Sequence, residues 1–218
     1  MTFRRLFFEK GIGTRPQRYN HRGAKQIYRS KSNALNAIAS TAKCRLDCHA
    51  NRMDQSLQQQ KATLRAEMMK RVRQMTAEDR ESFSEEICER ILEMAEWAQA
   101  QSAVLFNPLP SEPVITPLKL DCDLRHVTCA TIPQSPKQEQ DLHLPETIDL
   151  ILVPALAFSK DRHRLGRGGG YFDRLLGGRA SQAFKLGICF SFQIVDQVPT
   201  ENHDVVLDAV VTESATII

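Results

Sequence analysis

The chain has 218 residues with 29 Lys/Arg, 26 Asp/Glu and a formal net charge of +3, enough for one sizeable core or a domain with an extension. No apolar run approaches the roughly 18 residues of a membrane span, and Leu6-Phe-Phe8 is too short for the core of a secretory signal. Six cysteines without framework spacing argue for reduced thiols and a cytoplasmic location, and Cys44-x-x-x-Cys48-His49 lacks the second ligand pair of a zinc site.

The small net charge conceals an asymmetry. Residues 1–52 hold twelve Lys/Arg against two acids, Glu9 and Asp47, whereas the rest holds 17 bases against 24 acids. The basic stretch shows no sustained periodicity and is interrupted by glycines and Pro16, so it is expected to be disordered. The expected division is a basic extension over 1–57 and a folded domain over 58–218. The extension reads as a nucleic-acid-binding arm, an organelle transit peptide, or upstream sequence wrongly included in the reading frame. Met53, just before the ordered pattern, favours the third.

From Gln58 the pattern is helical, with Leu64, Met68, Val72 and Met75 forming one apolar stripe. Thr76-Ala-Glu-Asp79 is a capping signal for a second helix, which turns Phe83, Ile87, Ile91 and Met94 inward and runs to about Gln99, with Trp97 in the core. Ala103–Phe106 reads as a strand. Three prolines make 107–113 a loop, since they exclude ladder pairing. Residues 114–120 fit a short helix or an extended piece equally, 127–132 suits a strand, and 133–145 is loop. Leu150–Val153, Phe184–Phe190 and Val205–Val211 read as further strands. Strands alternating with helices predict a single three-layer α/β domain, a largely parallel sheet flanked by helices.

The richest segment is Arg164-Leu-Gly-Arg-Gly-Gly-Gly-Tyr-Phe-Asp-Arg-Leu-Leu176, where a loop with Gly166, Gly168, Gly169 and Gly170 opens a helix. Glycines let backbone N–H groups approach an anion, and a helix N-terminus adds unpaired donors. Arg164 and Arg167 add charge suited to phosphate, and Asp173 stands where a carboxylate holds Mg²⁺ beside phosphates. The stretch fits neither the G-x-G-x-x-G nor the Gly-Lys-Ser/Thr nucleotide fingerprint. A turn that serves only close packing, with Asp173 as an ordinary first-turn acid, is the competing reading.

Pro154-x-x-x-Phe158 followed by Arg164 to Asp173 closely resembles the signature of the 5-formyltetrahydrofolate cyclo-ligase family. Lys61-Ala-Thr-Leu-Arg65, Pro108-Leu-Pro-Ser-Glu-Pro113 and Val198-Pro-x-Glu-x-His-Asp204 agree in order, and the resemblance covers 58 to about 213. It implies an enzyme, an ATP- and Mg²⁺-dependent C–N ligase that closes 5-formyltetrahydrofolate to 5,10-methenyltetrahydrofolate. By the same resemblance Lys61 and Arg65 bind ATP together with Arg164, Leu165, Gly166 and the run from Arg167 through Gly168, Gly169, Gly170 and Tyr171 to Phe172. The stretch Arg167–Tyr171 also borders the folate, with Asn107 and Glu112 as further substrate-binding residues. Arg167 and Asp173 are the expected catalytic residues, and Asp173 and Asp204 the expected metal ligands.

The chain departs from the family in three places. Ser159 and Arg162 stand where the family usually has Asp and a turn Gly. No aromatic residue occurs between Phe106 and Phe158, where strand-borne aromatics commonly help enclose the folate. The rival readings are a nucleotide-binding relative without this activity and a nucleic-acid binder acting through residues 1–52. The acidic body argues against the latter, and a monomer with no membrane or nucleic-acid partner is expected.

Overall fold

The computed structural model describes residues 55–134, 143–201 and 204–218, all within a unit spanning Asp54–Ile218. The expected disorder of the extension and the Cys44, Cys48, His49 cluster therefore fall outside the described residues, except that 55–57 are already helical. Helix α1 covers 55–72. It is followed by α2 (Ala77–Leu92), α3 (Ala95–Gln99), β1 (Ser102–Phe106), α4 (Thr116–Leu124) and β2 (Thr128–Ile132). The second half comprises β3 (Leu150–Pro154), β4 (Ala157–Ser159), β5 (Arg164–Leu165), α5 (Tyr171–Gly177), β6 (Phe184–Ile188), β7 (Ile194–Val195), β8 (Ala209–Val211) and β9 (Thr216–Ile217).

The main sheet has the order β2-β1-β3-β6-β8-β9, parallel throughout except for the antiparallel edge strand β9. Its central strands β1 and β3 are almost wholly buried, as a parallel sheet flanked by helices requires. Asp149 ties the entrances of these two strands together. Its carboxylate accepts from the Gln101 and Ser102 amides, each at 2.9 Å, and from the Ser102 hydroxyl at 3.0 Å.

Thr76 caps α2 as its sequence indicates, accepting from the Asp79 amide at 3.0 Å. The expected single helix to Gln99 is instead two. The chain leaves α2 at Glu93, and Met94 is extended before α3 begins. Trp97 is fully buried, its indole N–H donating to Asp121 at 2.8 Å, which agrees with a core role. The ambiguous 114–120 stretch resolves as α4, entered with a proline in its first turn.

A second, three-stranded sheet, β5-β4-β7, was not expected from the sequence. It is attached through Pro154–Leu156, the link between β3 and β4. The buried Gln193 side chain secures that link by donating to the Ala155 and Leu156 carbonyls at 3.2 and 3.0 Å and accepting from the Phe190 amide at 2.9 Å. Helix α1 belongs to this sheet: Met68 is fully buried with Leu156, Ala157, Leu165 and Val198, and Leu64 packs against the same cluster. The helix is thereby laid beside the glycine loop that leaves β5.

The turn joining β4 to β5 takes the left-handed backbone despite its non-glycine residue, with Arg162 at φ 63°. That conformation normally selects glycine. Here the Arg162 side chain donates to the Leu207 carbonyl at 3.1 Å, and its own carbonyl accepts from the Leu207 amide at 3.2 Å. The arginine thus fastens the turn to the segment between Asp204 and β8, which a glycine could do only through its backbone.

Two predictions follow from close approach and from charge. A Cβ on Gly187 in β6 would lie 2.8 Å from both Phe158 Cε1 and Leu207 Cδ1. Gly187→Ala is therefore expected to lose about 1–3 kcal/mol of stability through overpacking, read as a lower denaturant midpoint. The amide and hydroxyl donors of Gln101 and Ser102 hold the Asp149 carboxyl below its ordinary pKa. A depressed folded-state value means that its contribution is complete above the unfolded-state pKa and disappears as pH falls through the folded one. Asp149→Asn should accordingly weaken the fold at neutral pH and flatten its acid-induced loss, both measured by melting across pH.

Candidate active site

The glycine loop between β5 and α5 separates two cavities. The larger, about 260 Å³, has apolar walls from Phe106, Leu109, Ile132, Pro154, Tyr171 and Phe172, with Asn107 and Glu112 among its polar groups. The smaller, about 200 Å³, is lined by Lys61, Arg65, Leu165, Glu201 and Asp204. Arg164, Gly166, Gly168, Gly170 and Asp173 line both. Residues expected to hold substrate thus line one side of the loop, and the helix pair expected to hold ATP lies on the other.

The loop needs its glycines at two positions. Gly168 (φ 99°) and Gly170 (φ 62°) have left-handed backbone, and Gly168 lies under the Arg65 guanidinium, whose Cζ is 3.6 Å from where a Cβ would be. Successive turns of this kind point backbone N–H groups into a concavity suited to an anion.

Three arginines tie the loop to different elements. Arg65 on α1 donates to the Gly166 carbonyl at 3.0 Å. Arg164, with a side chain only 4% exposed, pairs with Asp173 on α5, and its Nε has no partner among the described residues. Arg167 reaches out to the 109–112 turn, where its guanidinium donates to Glu112 Oε1 at 3.1 and 3.2 Å and to the Ser111 hydroxyl at 2.6 Å.

Glu112 is not an exposed loop acid. It is 5% exposed, and its second carboxylate oxygen accepts from the Leu109 amide at 2.9 Å. Asn107 leaves β1 with its side-chain oxygen accepting from Lys119 at 2.9 Å. Lys61 likewise escapes the solvated face expected of a basic helix: it is 7% exposed, whereas Lys70 and Arg71 on the same helix are exposed. Its ammonium sits 3.2 Å from both Glu201 and Asp204. Asp204 in turn accepts from the Glu201 amide at 2.8 Å.

Sequence reasoning overlooked several neighbours. Glu201 lies inside a recognised motif but had no assigned role, and it forms half of the acidic pair on Lys61. Ser111 and Met69, whose sulfur is 3.7 Å from Arg167, had no distinguishing signal. The larger cavity obtains its aromatic lining from Phe106 and from Tyr171 and Phe172, which meet edge-on at 5.6 Å, rather than from the 107–157 stretch. No group of three or more acids, histidines or cysteines suited to a metal occurs among the described residues.

Residues 121–213 match the 5-formyltetrahydrofolate cyclo-ligase family. The mouse 5-formyltetrahydrofolate cyclo-ligase is 25% identical over 191 residues, spanning 71% of this chain and 94% of its own. A probable cyclo-ligase of Schizosaccharomyces pombe is 27% identical over 172 residues, 61% of this chain and 84% of its own. Among solved structures, the 5,10-methenyltetrahydrofolate synthetase of Aquifex aeolicus superposes with a TM-score of 0.60 at 26% identity, covering 72% of this chain and 91% of that one. The Mycoplasma pneumoniae synthetase superposes with a TM-score of 0.61 at 23% identity, covering 70% and 98%, and shows the same fold.

The Arg164–Asp173 pair makes one prediction. Breaking a fully buried ion pair costs about 3–5 kcal/mol, because the remaining charge loses its partner. A smaller loss is expected here, since the Asp173 side chain is 31% exposed. Asp173→Asn should lower the melting temperature measurably. An unchanged melt would mean that Arg164 is held by other groups.

Proposed function

We propose that the chain, which matches the 5-formyltetrahydrofolate cyclo-ligase family over residues 121–213 and resembles single members over most of their length, is a member of that family and closes 5-formyltetrahydrofolate to 5,10-methenyltetrahydrofolate, consuming ATP and releasing ADP and phosphate. The observation that carries this reading is the glycine loop shared as a wall by two chemically different cavities. The larger suits a fused ring whose amino and ring N–H groups meet a carboxylate, and the smaller suits a polyphosphate met by Lys61 and Arg65.

The chemistry explains why such a site holds cations and glycines rather than a nucleophile and base. A formamide oxygen is a poor leaving group as hydroxide. Transfer of the γ-phosphoryl group onto that oxygen breaks the bond to ADP and turns the oxygen into part of a phosphate ester. The substrate's N10 then attacks the formyl carbon and loses its proton to solvent, and the C–O bond breaks with departure of phosphate. Phosphoryl transfer is governed mainly by positioning and charge compensation.

In this reading Glu112 and Asn107 orient the ring, with Phe106, Tyr171 and Phe172 excluding water around it. Lys61, Arg65 and Arg164 hold the nucleotide together with the backbone from Leu165 to Phe172. Arg167 bears on the transferring group. Phosphate takes over the role that Glu201 and Asp204 fill for Lys61. Asp173 and Asp204 are the carboxylates that would hold Mg²⁺. An ion held by these carboxylates would take its remaining ligands from phosphate and water. Magnesium would supply charge neutralisation at the phosphates.

The test is direct. Purified protein mixed with MgATP and 5-formyltetrahydrofolate should develop the methenyl chromophore, and omission of ATP should abolish it. No chromophore with both present would end the proposal. Arg167 makes a forked contact that an ammonium cannot reproduce. Arg167→Lys should reduce kcat/KM about tenfold, as expected for loss of a charged hydrogen bond, and Arg167→Ala more. Unchanged steady-state kinetics in both variants would exclude Arg167 from the site.

A further inference from the structure

Helix α2 presents a polar stripe as well as an apolar one. Arg80, Ser84 and Cys88 follow at i, i+4 and i+8 and therefore share a face. All three engage the backbone of the segment that follows β1. Arg80 Nε donates to the Glu112 carbonyl at 3.0 Å, and its Nη2 donates to the Leu109 carbonyl at 3.1 Å. Ser84 accepts from the Val114 amide at 2.9 Å, and the Cys88 thiol donates to the Val114 carbonyl at 3.4 Å.

The Arg80 contact grips both ends of one turn. Leu109-Pro-Ser-Glu112 is closed by the Glu112 amide donating to the Leu109 carbonyl at 2.9 Å, and the Glu112 carboxylate accepts from the Leu109 amide at the same distance. A four-residue turn with its ends fixed by one planar guanidinium has little freedom to rotate its acid. The remaining oxygen of that acid is held toward Arg167 at 3.1 Å. The chain of contact runs from α2 through the Glu112 main chain to its carboxylate.

We propose that Arg80 is a positioning residue for the reduced-folate site, setting the direction of the Glu112 carboxylate without touching substrate. This rests on the cyclo-ligase reading given above. The residues expected to hold ATP are anchored elsewhere: Lys61 meets Glu201 and Asp204, and Arg65 meets the Gly166 carbonyl. Arg80 should therefore separate the two substrates kinetically. Lysine is not an equivalent replacement, since one compact ammonium cannot span two carbonyls with fork geometry.

The experiment compares the unsubstituted protein with Arg80→Gln, Arg80→Lys, Glu112→Gln and the Arg80→Gln/Glu112→Gln double variant. Steady-state kinetics are measured against 5-formyltetrahydrofolate and MgATP, together with amide hydrogen exchange over 109–114. Arg80→Gln should raise the KM for 5-formyltetrahydrofolate about tenfold, the scale of a lost hydrogen bond to a charged group, with KM for ATP unchanged. Arg80→Lys should fall between, and Arg80→Gln should add little to Glu112→Gln because the two act in series. The Glu112 amide should exchange faster in Arg80→Gln. Equal rises in both KM values, or additive effects in the double variant, would overturn the proposal and leave Arg80 as a support for the fold. Should the unsubstituted protein show no turnover, the cyclo-ligase reading fails and the exchange measurement alone decides the anchor, unchanged protection at Glu112 counting against it.

Discussion

A loop with glycine at four of five positions has only the Arg167 side chain of its own with which to hold a shape, so the site depends on arginines within and beside it. Arg65, Arg164 and Arg167 tie it to α1, to α5 and to the 109–112 turn respectively. The elements that carry these partners are themselves fixed by apolar packing: Met68 seats α1, Leu175 and Leu176 bury α5, and α2 lies against the main sheet through Ile87 and Ile91. The order of causation runs from core to helix to arginine to glycine backbone. Loss of any one arginine should reshape the loop without unfolding the domain.

The glycine segment was readable because its chemistry is local. Glycines, arginines and an acid within ten residues point to an anion whatever the rest of the chain does, and the structure brings Lys61, Arg65, Arg164, Asp173 and Asp204 around one cavity. Strands β1 and β3 were readable for a similar reason, since burial on both faces leaves a continuous apolar run. The break between α2 and α3 was not. Ile91, Met94 and Trp97 keep a helical spacing across it, so periodicity passes through a residue whose backbone is extended.

The small sheet escaped notice because its strands are two or three residues long and β7 pairs with β4 from some way along the chain. No pattern of period two can develop over such a length. The supporting contacts were illegible on different grounds. Arg80 bonds to carbonyls, which every residue possesses, and its sequence neighbours give no hint of which turn it meets. Arg162 was visible only as a residue in place of an expected glycine. Its hold on Leu207 accounts for a side chain there in spite of the left-handed backbone.

The single layer of loop backbone between the cavities has a thermodynamic consequence. A ligand on one side that displaces Gly166, Gly168 or Gly170, or that pulls Arg164 from Asp173, alters the wall met by a ligand on the other. On the proposed reading such a wall would link the two binding events, and linkage is reciprocal: whatever factor nucleotide applied to folate affinity, folate would apply to nucleotide affinity. A partition this thin would make each occupant an effector of the other.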